Sequence, residues 1–346
     1  MEFRAKKIKK QAEQDFEKAW LETAKLLKVS GRAMYWAKTT GKKHPLHSLD
    51  SLFREIFLSY GFDEIELPSI VAEQEVYKQY GPEAPLILDR VFYLAGLPRK
   101  ELGISDEKKD LIKKIAPGFD KFDELKRIFR DYKKGKIEGD DFVEELVRRL
   151  GIEEYKATRI IQKVFPEFRN LEKIPTNLTL RSHMTASWFP LLSKMQRNRK
   201  LPLKLFSIGK RYRREQKQDA HHLYESTSAS IVVMSPKITL EDGKELTRKI
   251  LRDLGFGKSK IVQKKTTSKY YAPGMDLEVF INFKGREIEI ANLGFYSPVS
   301  LSKYKIWYPV LNLGFGVERV AMILKGIDDI RKLVYPESYQ GDDGMA

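Results

Sequence analysis

The sequence predicts an α+β fold in which helices flank an antiparallel sheet and a helical module is inserted into the chain. Residues 205–212 and 224–234 have the spacing and composition of two strands joined by a long charged loop. Amphipathic helices, with apolar residues at helical spacing, are predicted at 49–60 and 240–254. Residues 101–168 change to short helical segments broken by glycine and proline, with no pattern typical of catalysis. The chain therefore combines a mixed domain with a helical insertion.

The composition is that of a globular protein attracted to polyanions. Its 346 residues, 42% hydrophobic and 32% charged, suffice for two or more domains. The net charge of +16 favours nucleic acid as a partner, with generic attraction to anions as the alternative. The absence of cysteine excludes disulfides and thiolate metal sites. Because no apolar run could span a bilayer or serve as a signal peptide, we expect a cytoplasmic protein with no membrane partner.

Residues 1–40 are predicted to form a charged helical arm. Phe16, Trp20, Ala24 and Leu27 recur at helical spacing within Glu2–Lys28. This apolar face is expected to pack on another surface. The basic first turns fit either a nucleic-acid contact or a solvated face.

The mixed domain opens with a helix and a strand. The helix at 49–60 ends at Gly61, a residue suited to a helix C-terminus. Phe62–Leu67 then alternates apolar and acidic residues until Pro68 stops the run. We expect this strand at a sheet edge or an interface.

The loop between the two central strands carries fixed charges. Arg213 and Arg214 leave the first strand together with Glu215, and residues 217–222 add lysine, aspartate and histidines. Guanidinium groups match the oxygens of a polyphosphate bidentately. Glu215 would be repelled by phosphate and could instead accept a hydrogen bond from an adenine amino group. The alternative is a solvated hairpin whose loop is held by salt bridges.

A second anion site is predicted at a helix start. Ser182 is placed to cap a helix beginning at His183 and Met184, and the hydroxyl of Thr185 lies beside the free amides of its first turn. Such an N-terminus binds anions. The alternative is an ordinary capped helix with Trp188 and its neighbour in the core.

Two further elements close the mixed domain. A hairpin at 277–293 turns at Lys284-Gly285 and carries Glu287 and Glu289 on one face, where either fits a cation ligand or an ordinary surface carboxylate. A strand then enters a helix through Gly314 and Gly316, which allow a ligand close to the backbone, and Arg319 follows on the helix.

The order of these features resembles the three motifs of the class II aminoacyl-tRNA synthetases. The first motif ends at Pro68, the second centres on Arg213–Glu215, and the third closes on Arg319. Longer segments are similar to the O-phosphoseryl-tRNA synthetases, an archaeal family that charges cysteine tRNA with phosphoserine. These segments are LTLRSHMTASWF, LFSIGKRYRREQK, STSAS, SKYYAP, FYSPVSLSKY, NLGFGVER, VYKQYGPEAPLILDRVFYLAGLP and YKKGKIEGDDF.

The resemblance implies a class II catalytic core with ATP and Mg²⁺ as cofactors. Arg213 matches the arginine that grips the α-phosphate, Glu215 the glutamate that reads adenine, and Arg319 the arginine that holds the far phosphates. Glu289, with Asn292, matches the position that carries magnesium in related synthetases. No general base is required, because fixed cations stabilise the charge that develops on the phosphoryl group.

The resemblance also implies a phosphoserine pocket. A phosphoserine side chain carries nearly two negative charges and three acceptor oxygens, so its pocket needs hydrogen-bond donors rather than apolar walls. Ser228 and Ser230, two residues apart, face the same side of their strand. The complete set matched to substrate binding is His183, Met184, Thr185, Ser228, Ala229, Ser230, Tyr270, Tyr271 and Asn312.

The expected organisation follows from the same likeness. Residues 41–100 and 169–336 form the catalytic core, 101–168 the insertion, and 337–346 an acidic tail. The family suggests a homo-oligomer, a dimer or a tetramer, that contacts the acceptor end of tRNA. Its members continue into an anticodon-reading domain, so we expect either a cut or a natural short form with anticodon recognition in doubt.

One departure from the family pattern and two alternative functions stay open. Ala186-Ser187 stands where the family pattern has Ser-Gly, with an unknown effect on the pocket. The chain could also be a non-charging paralogue that binds tRNA or regulates a partner, or an adenylating enzyme for another acceptor. The charging enzyme is favoured because a binding module does not need the complete ATP set, which is Arg213, Glu215, Glu289 and Arg319.

Overall fold

A computed structural model describes residues 3–27, 41–100, 102–168 and 171–335 of the chain. The described residues divide into two compact units. One takes the described parts of 1–40 and 96–174, and the other takes those of 41–95 and 175–346. The acidic tail predicted at 337–346 lies outside the described residues. No helix in the described part is long and apolar enough to cross a membrane.

Helices and strands are numbered separately along the chain. The helices are α1 (Ala5–Gln14), α2 (Phe16–Thr23), α3 (Pro45–Ser59), α4 (Glu73–Tyr80), α5 (Ala84–Leu88), α6 (Asp106–Ile115), α7 (Phe122–Lys133), α8 (Phe142–Leu150), α9 (Glu154–Val164), α10 (Thr185–Met195), α11 (Leu240–Asp253), α12 (Pro298–Lys303), α13 (Val317–Leu324) and α14 (Arg331–Val334). The strands are β1 (Asp63–Glu64), β2 (Ile70–Ala72), β3 (Tyr93–Gly96), β4 (Ile174–Leu180), β5 (Leu203–Tyr212), β6 (Glu225–Met234), β7 (Lys260–Gln263), β8 (Tyr271–Phe283), β9 (Arg286–Tyr296) and β10 (Val310–Gly316). Short 3₁₀ turns cover Ala24–Leu27, Gly81–Glu83 and Pro166–Phe168.

The larger unit is built on a seven-stranded sheet of order β1-β5-β6-β10-β9-β8-β7. Every pair in it is antiparallel except β1 with β5, which confirms the predicted antiparallel sheet with an edge strand. The β8–β9 hairpin turns at Lys284 and Gly285, as predicted, and both have positive φ (52° and 80°). A separate three-stranded sheet has the order β2-β4-β3.

Strand alternation gives the large sheet two different faces. On β6, Ala229, Ile231 and Val233 belong to one core cluster, which α3, α11 and α13 cover. Phe57 of α3 stacks edge-on against Phe206 of β5, with ring centroids 5.2 Å apart. The intervening β6 residues face the opposite side, where apolar ones pack on α10 and polar ones line a cavity. A single strand therefore supplies both core and site.

The buried side chain of Arg181 joins the segment that follows β1 to strand β5. Arg181 donates from Nη1 to the carbonyls of Leu67 (2.6 Å) and Pro68 (3.1 Å), and from Nε to that of Lys210 (2.7 Å). The predicted strand Phe62–Leu67 is shorter in the structure: β1 covers Asp63–Glu64, and the amide of Ile65 adds one further bond to the carbonyl of Phe206 on β5.

We expect Gly209→Ala to destabilise the protein through this arginine. An added Cβ would lie closer than 3.0 Å to Nη2 of Arg181, whose three carbonyl bonds prevent it from moving aside. Overpacking of this kind costs about 1–3 kcal/mol. Thermal unfolding of Gly209→Ala should show the loss, whereas Gly257→Ala, with nothing within 4 Å of the new Cβ, should not. Equal unfolding temperatures for the two variants would contradict this role.

The smaller unit contains the helical insertion with a core of its own. Helices α6 to α9 surround buried Leu125, Phe129 and Phe165, and the rings of Phe129 and Phe165 lie 4.7 Å apart. Arg149 on α8 forms ion pairs with Glu124 and Asp131 of α7 and with Glu145 of its own helix. These helices agree with the helical segments predicted from the sequence.

The N-terminal arm differs from the single predicted helix. It breaks at Asp15, whose side chain accepts from the amide of Lys18 (3.1 Å) and so caps a second helix. Within its described helices Ala19 is the only buried residue, while Phe16 and Trp20 are 60% and 52% exposed. The expected packing of this face is therefore not seen within the described residues.

Candidate active site

A cavity of about 340 Å³ opens on the polar side of the large sheet. Strands β5, β6, β9 and β10 form its floor, and the segment before α10 and the segment leading into β8 form its walls. Twelve of the fourteen predicted site residues line it. These are His183, Met184, Thr185, Arg213, Ser228, Ser230, Tyr270, Tyr271, Glu289, Asn292, Asn312 and Arg319.

Two predicted site residues do not line this cavity. Glu215 lines a smaller adjoining pocket of about 40 Å³, where its carboxylate accepts from Nη2 of Arg90 at 2.7 Å. Ala229 is fully buried in the core cluster on the other face of the sheet. Strand alternation explains this placement, because Ser228 and Ser230 point to the cavity and the residue between them points away.

The cavity wall is strongly cationic. Five basic side chains, Arg90, Arg211, Arg213, Lys264 and Arg319, line it against one carboxylate, Glu289. Burial, followed by repulsion from Arg213, lowers the pKa of Arg211 to about 9. Burial and repulsion from Arg90 also lower the pKa of Arg213. Such a site is complementary to a multiply charged anion.

Each predicted arginine is held by part of its guanidinium and keeps other N–H groups. Arg213 donates from Nε to the carbonyl of Ser182 at 3.2 Å. Arg319 donates from Nη1 to the backbone carbonyl of Glu289 at 2.9 Å, with the side-chain carboxylate of Glu289 3.5 Å away. The remaining donors give each arginine capacity for a bound anion.

The helix start beside the cavity differs from the predicted cap. Helix α10 begins at Thr185, its N-cap is Met184, and no side chain caps it. The prediction that Ser182 caps this helix is wrong, because its hydroxyl instead pairs with Nδ1 of His183 at 3.0 Å. His183 and Thr185 nevertheless both line the cavity.

We expect His183 to make the protein less stable in mild acid. Burial, together with the charge of Arg213, holds the pKa of His183 well below its ordinary value of 6.5. Below pH 6.5 the unfolded chain therefore binds more protons at this residue than the folded chain, so stability falls as pH falls, by at most about 1.4 kcal/mol per pH unit. Unfolding free energies measured from pH 7.5 to 5 should fall less steeply for His183→Asn than for wild type. The same slope in both proteins would contradict a neutral imidazole at position 183, and substitution of the exposed His221 by Asn is the control.

The hydroxyl-bearing wall of the cavity is tightly packed. Ser230 accepts from Nε1 of Trp188 (3.0 Å) and Nδ2 of Asn312 (3.2 Å). Ser228 is buried, and a Cβ added at Gly314 would lie 3.8 Å from its hydroxyl. Gly314 therefore leaves open the space in front of Ser228.

The fold and family of the chain follow from comparison with known proteins. The pyrrolysyl-tRNA synthetase of Desulfitobacterium hafniense superposes with a TM-score of 0.55 at 18% identity, covering 100% of this chain and 90% of that one. A family model, tRNA synthetases class II core domain (F), matches residues 105–340. The chain belongs to the class II tRNA synthetases. The antiparallel sheet flanked by helices is the fold expected from the sequence.

This class II tRNA synthetase has relatives of closer sequence. An O-phosphoserine–tRNA(Cys) ligase of Methanocaldococcus jannaschii is 44% identical over 347 residues, which cover 98% of this chain and 64% of the relative. The enzyme of that name from Methanopyrus kandleri is 43% identical over 346 residues, covering 94% and 64%. The chain thus spans about 64% of the length of these curated relatives.

One corner of the synthetase cavity has oxygen ligands suited to magnesium. Both N–H groups of the Asn292 amide are used inside the protein, donating to Asp276 (2.7 Å) and to the carbonyl of Leu277 (3.0 Å). Its amide oxygen is then left for a cation, together with the Glu289 carboxylate, one oxygen of which lies 3.5 Å from Nη1 of Arg319. The described residues contain no cluster of three His, Cys, Asp or Glu side chains that could hold a metal. The pair fits an ion bound chiefly by substrate phosphates and water.

Sequence reasoning missed Arg90, Arg211 and Lys264, which line the cavity, and Asp276, which bonds Asn292. Arg211 lies on β5 two positions before Arg213, which follows the end of that strand, so strand alternation could have placed both on the same face. Arg90 comes from a distant loop that Arg214 holds through the carbonyl and carboxylate of Asp89. Asp276 is fully buried and anchors Asn292. No local pattern marks these last two.

Proposed function

We propose that this synthetase activates O-phosphoserine with ATP and transfers it to the 3′ end of a cysteine tRNA. The observation that carries the proposal is one cavity with five cations at its wall and hydrogen-bonding hydroxyls from Thr185, Ser228 and Ser230. Two anionic reactants, ATP and phosphoserine, need this combination. Its relatives are named as ligases of O-phosphoserine and tRNA(Cys).

Arg213 and Arg319 are proposed to hold the phosphates of ATP. Both present guanidinium groups to the cavity, and a planar guanidinium matches phosphate oxygens bidentately. Glu289 and Asn292 would hold a magnesium ion shared with these phosphates, and the ion would offset their charge. Glu215 would read adenine from the adjoining pocket once Arg90 leaves its carboxylate.

The phosphoserine pocket is proposed at the other end of the cavity. Thr185, Ser228 and Ser230 would donate to phosphate, with Asn312 and the amides near Met184 beside them. Tyr270 and Tyr271 close this end, since they are buried and their rings lie 4.4 Å apart. His183 belongs to the same wall, and Ala229 would contribute only its backbone, because its side chain lies in the core.

The proposed chemistry needs positioning and charge stabilisation rather than a protein base. An oxygen of the phosphoserine carboxylate bonds to the α-phosphorus of ATP, and the bond to pyrophosphate breaks. Arg213 would stabilise the negative charge that develops on the α-phosphoryl oxygens. A ribose hydroxyl of the terminal adenosine then attacks the acyl carbon, loses its proton and displaces AMP. Both steps conserve atoms and charge without a further reactant.

The tRNA is proposed to be held mainly through its phosphates. The chain has 64 lysines and arginines against 48 acidic residues, a net charge of +16. Binding to a nucleic-acid backbone releases counterions, so affinity should fall steeply with salt. Filter binding of a cysteine tRNA at several salt concentrations measures this slope, and a flat dependence would argue against backbone binding.

A homo-oligomer, dimer or tetramer, is proposed through the exposed face of the small sheet. Ile70 on β2 and Leu178 on β4 are 52% and 43% exposed, and Ala72 pairs with Leu178 on the same face. An apolar face of this kind is typical of an interface. Sedimentation should show an oligomer that Ile70→Asp with Leu178→Asp dissociates. A wild-type monomer would refute the assembly.

The experiment that tests the function is ATP–pyrophosphate exchange with phosphoserine, serine and cysteine in parallel. Exchange should depend on phosphoserine, and labelled phosphoserine should then appear on cysteine tRNA. Exchange with serine or cysteine instead would reassign the amino acid. No exchange with any of the three would refute activation by this chain.

A further inference from the structure

The hydroxyl of Ser230 has its hydrogen-bonding role fixed by the protein. A serine hydroxyl has one O–H donor and two lone pairs. Trp188 donates from Nε1 to this oxygen at 3.0 Å, and Asn312 donates from Nδ2 at 3.2 Å. Both lone pairs are then occupied, and among the described residues the Ser230 O–H has no protein acceptor. Only its proton remains for a ligand in the cavity.

The amide of Asn312 cannot turn to undo this arrangement. Its Nδ2 also donates to the carbonyl of Ile231 at 2.9 Å, and a carbonyl can only accept. Its oxygen accepts from the hydroxyl of Tyr271 at 2.7 Å. Exchanging the nitrogen and oxygen would place two acceptors face to face. The amide therefore presents N–H to Ser230.

The indole of Trp188 supplies the second fixed donor. Trp188 is fully buried on α10 and does not line the cavity, so it acts on a ligand only through Ser230. An indole N–H can donate but never accept. Donors directed at the lone pairs of a hydroxyl also polarise it, which strengthens its own O–H as a donor.

We infer that Trp188 is a positioning residue that makes Ser230 an obligatory hydrogen-bond donor to the substrate phosphate. The inference rests on the proposed function and adds to it the residue that sets the polarity of the pocket. The dianion of phosphoserine offers only acceptors at its three terminal oxygens and so suits such a wall. An amide side chain would direct N–H groups at a hydroxyl that can no longer accept.

The kinetic test is a double-mutant cycle on phosphoserine-dependent ATP–pyrophosphate exchange. Trp188→Phe should raise the KM for phosphoserine about tenfold, with kcat changed by less than about threefold, because a hydrogen bond to a charged group is weakened. In a Ser230→Ala background the same substitution should change KM by less than about twofold. Leu192→Ala, which removes a fully buried side chain of the same core cluster one turn along α10, controls for lost packing and should leave KM unchanged.

Additive effects of Trp188→Phe and Ser230→Ala would overturn the inference, as would an unchanged KM in Trp188→Phe. A spectroscopic test avoids the risk that Trp188→Phe folds poorly. Inorganic phosphate should shift the indole ¹H–¹⁵N resonance of Trp188 in the wild-type chain and leave it in place in Ser230→Ala. An indole resonance that phosphate does not shift in the wild type, or shifts equally in the wild type and in Ser230→Ala, would refute the coupling of Trp188 to the phosphate through Ser230. A wild type with this shift but no phosphoserine-dependent exchange would refute the proposed function alone.

Discussion

Arg213→Ala and Arg319→Ala should each reduce phosphoserine-dependent ATP–pyrophosphate exchange about 10²–10³-fold. Each substitution removes a guanidinium that faces the phosphates where negative charge develops, and the loss of one such donor costs about 3–4 kcal/mol. For Arg213 the loss should fall mainly on kcat, since the α-phosphoryl charge appears in the transition state. Initial rates of exchange, measured over a range of ATP concentrations, separate kcat from the KM for ATP.

Folding must be shown to survive in both variants. Neither arginine belongs to a core cluster, and each is held by one or two hydrogen bonds. Circular dichroism and thermal unfolding should therefore remain close to those of wild type. Arg248→Ala removes an arginine from a solvent-exposed ion pair with Glu241 on α11 and should leave exchange unchanged. Exchange at the wild-type rate in Arg213→Ala would defeat the proposed ATP site.

Ser228→Asp should lower kcat/KM for phosphoserine at least about 10³-fold relative to Ser228→Asn. Both side chains have nearly the same shape, so the comparison isolates the charge. A charge pair about 4 Å apart is worth about 4 kcal/mol at an effective dielectric of about 20. Protonation limits the penalty, because a carboxyl with an ordinary pKa of about 3.9 can be neutralised at pH 7 for about 4 kcal/mol.

The pH dependence of Ser228→Asp gives a second criterion. Its deficit relative to Ser228→Asn should shrink steadily as the pH falls from 8 to 4.5, because the protonated fraction of the introduced carboxyl rises and phosphoserine approaches a single negative charge. The exchange assay with both variants from pH 4.5 to 8 measures this. A constant ratio across that range, or equal activity of the two variants at pH 7, would move the phosphate away from Ser228.

Period-two and turn signals made much of the large sheet predictable. The β5–β6 pair and the Lys284-Gly285 turn lie where the sequence predicts them. The same alternation that brings Ser228 and Ser230 to the cavity sends Ala229 into the core. The family resemblance placed all three residues in the substrate site, whereas strand alternation distinguishes the side chain of Ala229 from the other two. Side-chain direction along a strand is a local property, and the sequence contains it.

The parts that the sequence could not supply depend on contacts between distant segments. Arg90 and Glu215 are 125 residues apart, and their ion pair places Glu215 beside the adjoining pocket. Ser182 has the sequence context of a helix cap, but its hydroxyl pairs with His183 and its carbonyl accepts from Arg213, 31 residues away. Local propensity gives no information about such competing partners.

The crowding of like charges in the cavity also determines how the protein should be handled. Burial first, and then repulsion between like charges, lowers the pKa of Arg211 and of Arg213, so holding these guanidinium groups charged in the cavity costs the fold free energy. An anion that binds only the folded chain increases the free energy of unfolding, and at concentrations well above Kd the increase grows with the logarithm of the anion concentration divided by Kd. Phosphate and pyrophosphate in a storage buffer should raise the unfolding temperature. In an assay the same ions would compete with ATP and phosphoserine, so a buffer that preserves this protein would also inhibit it.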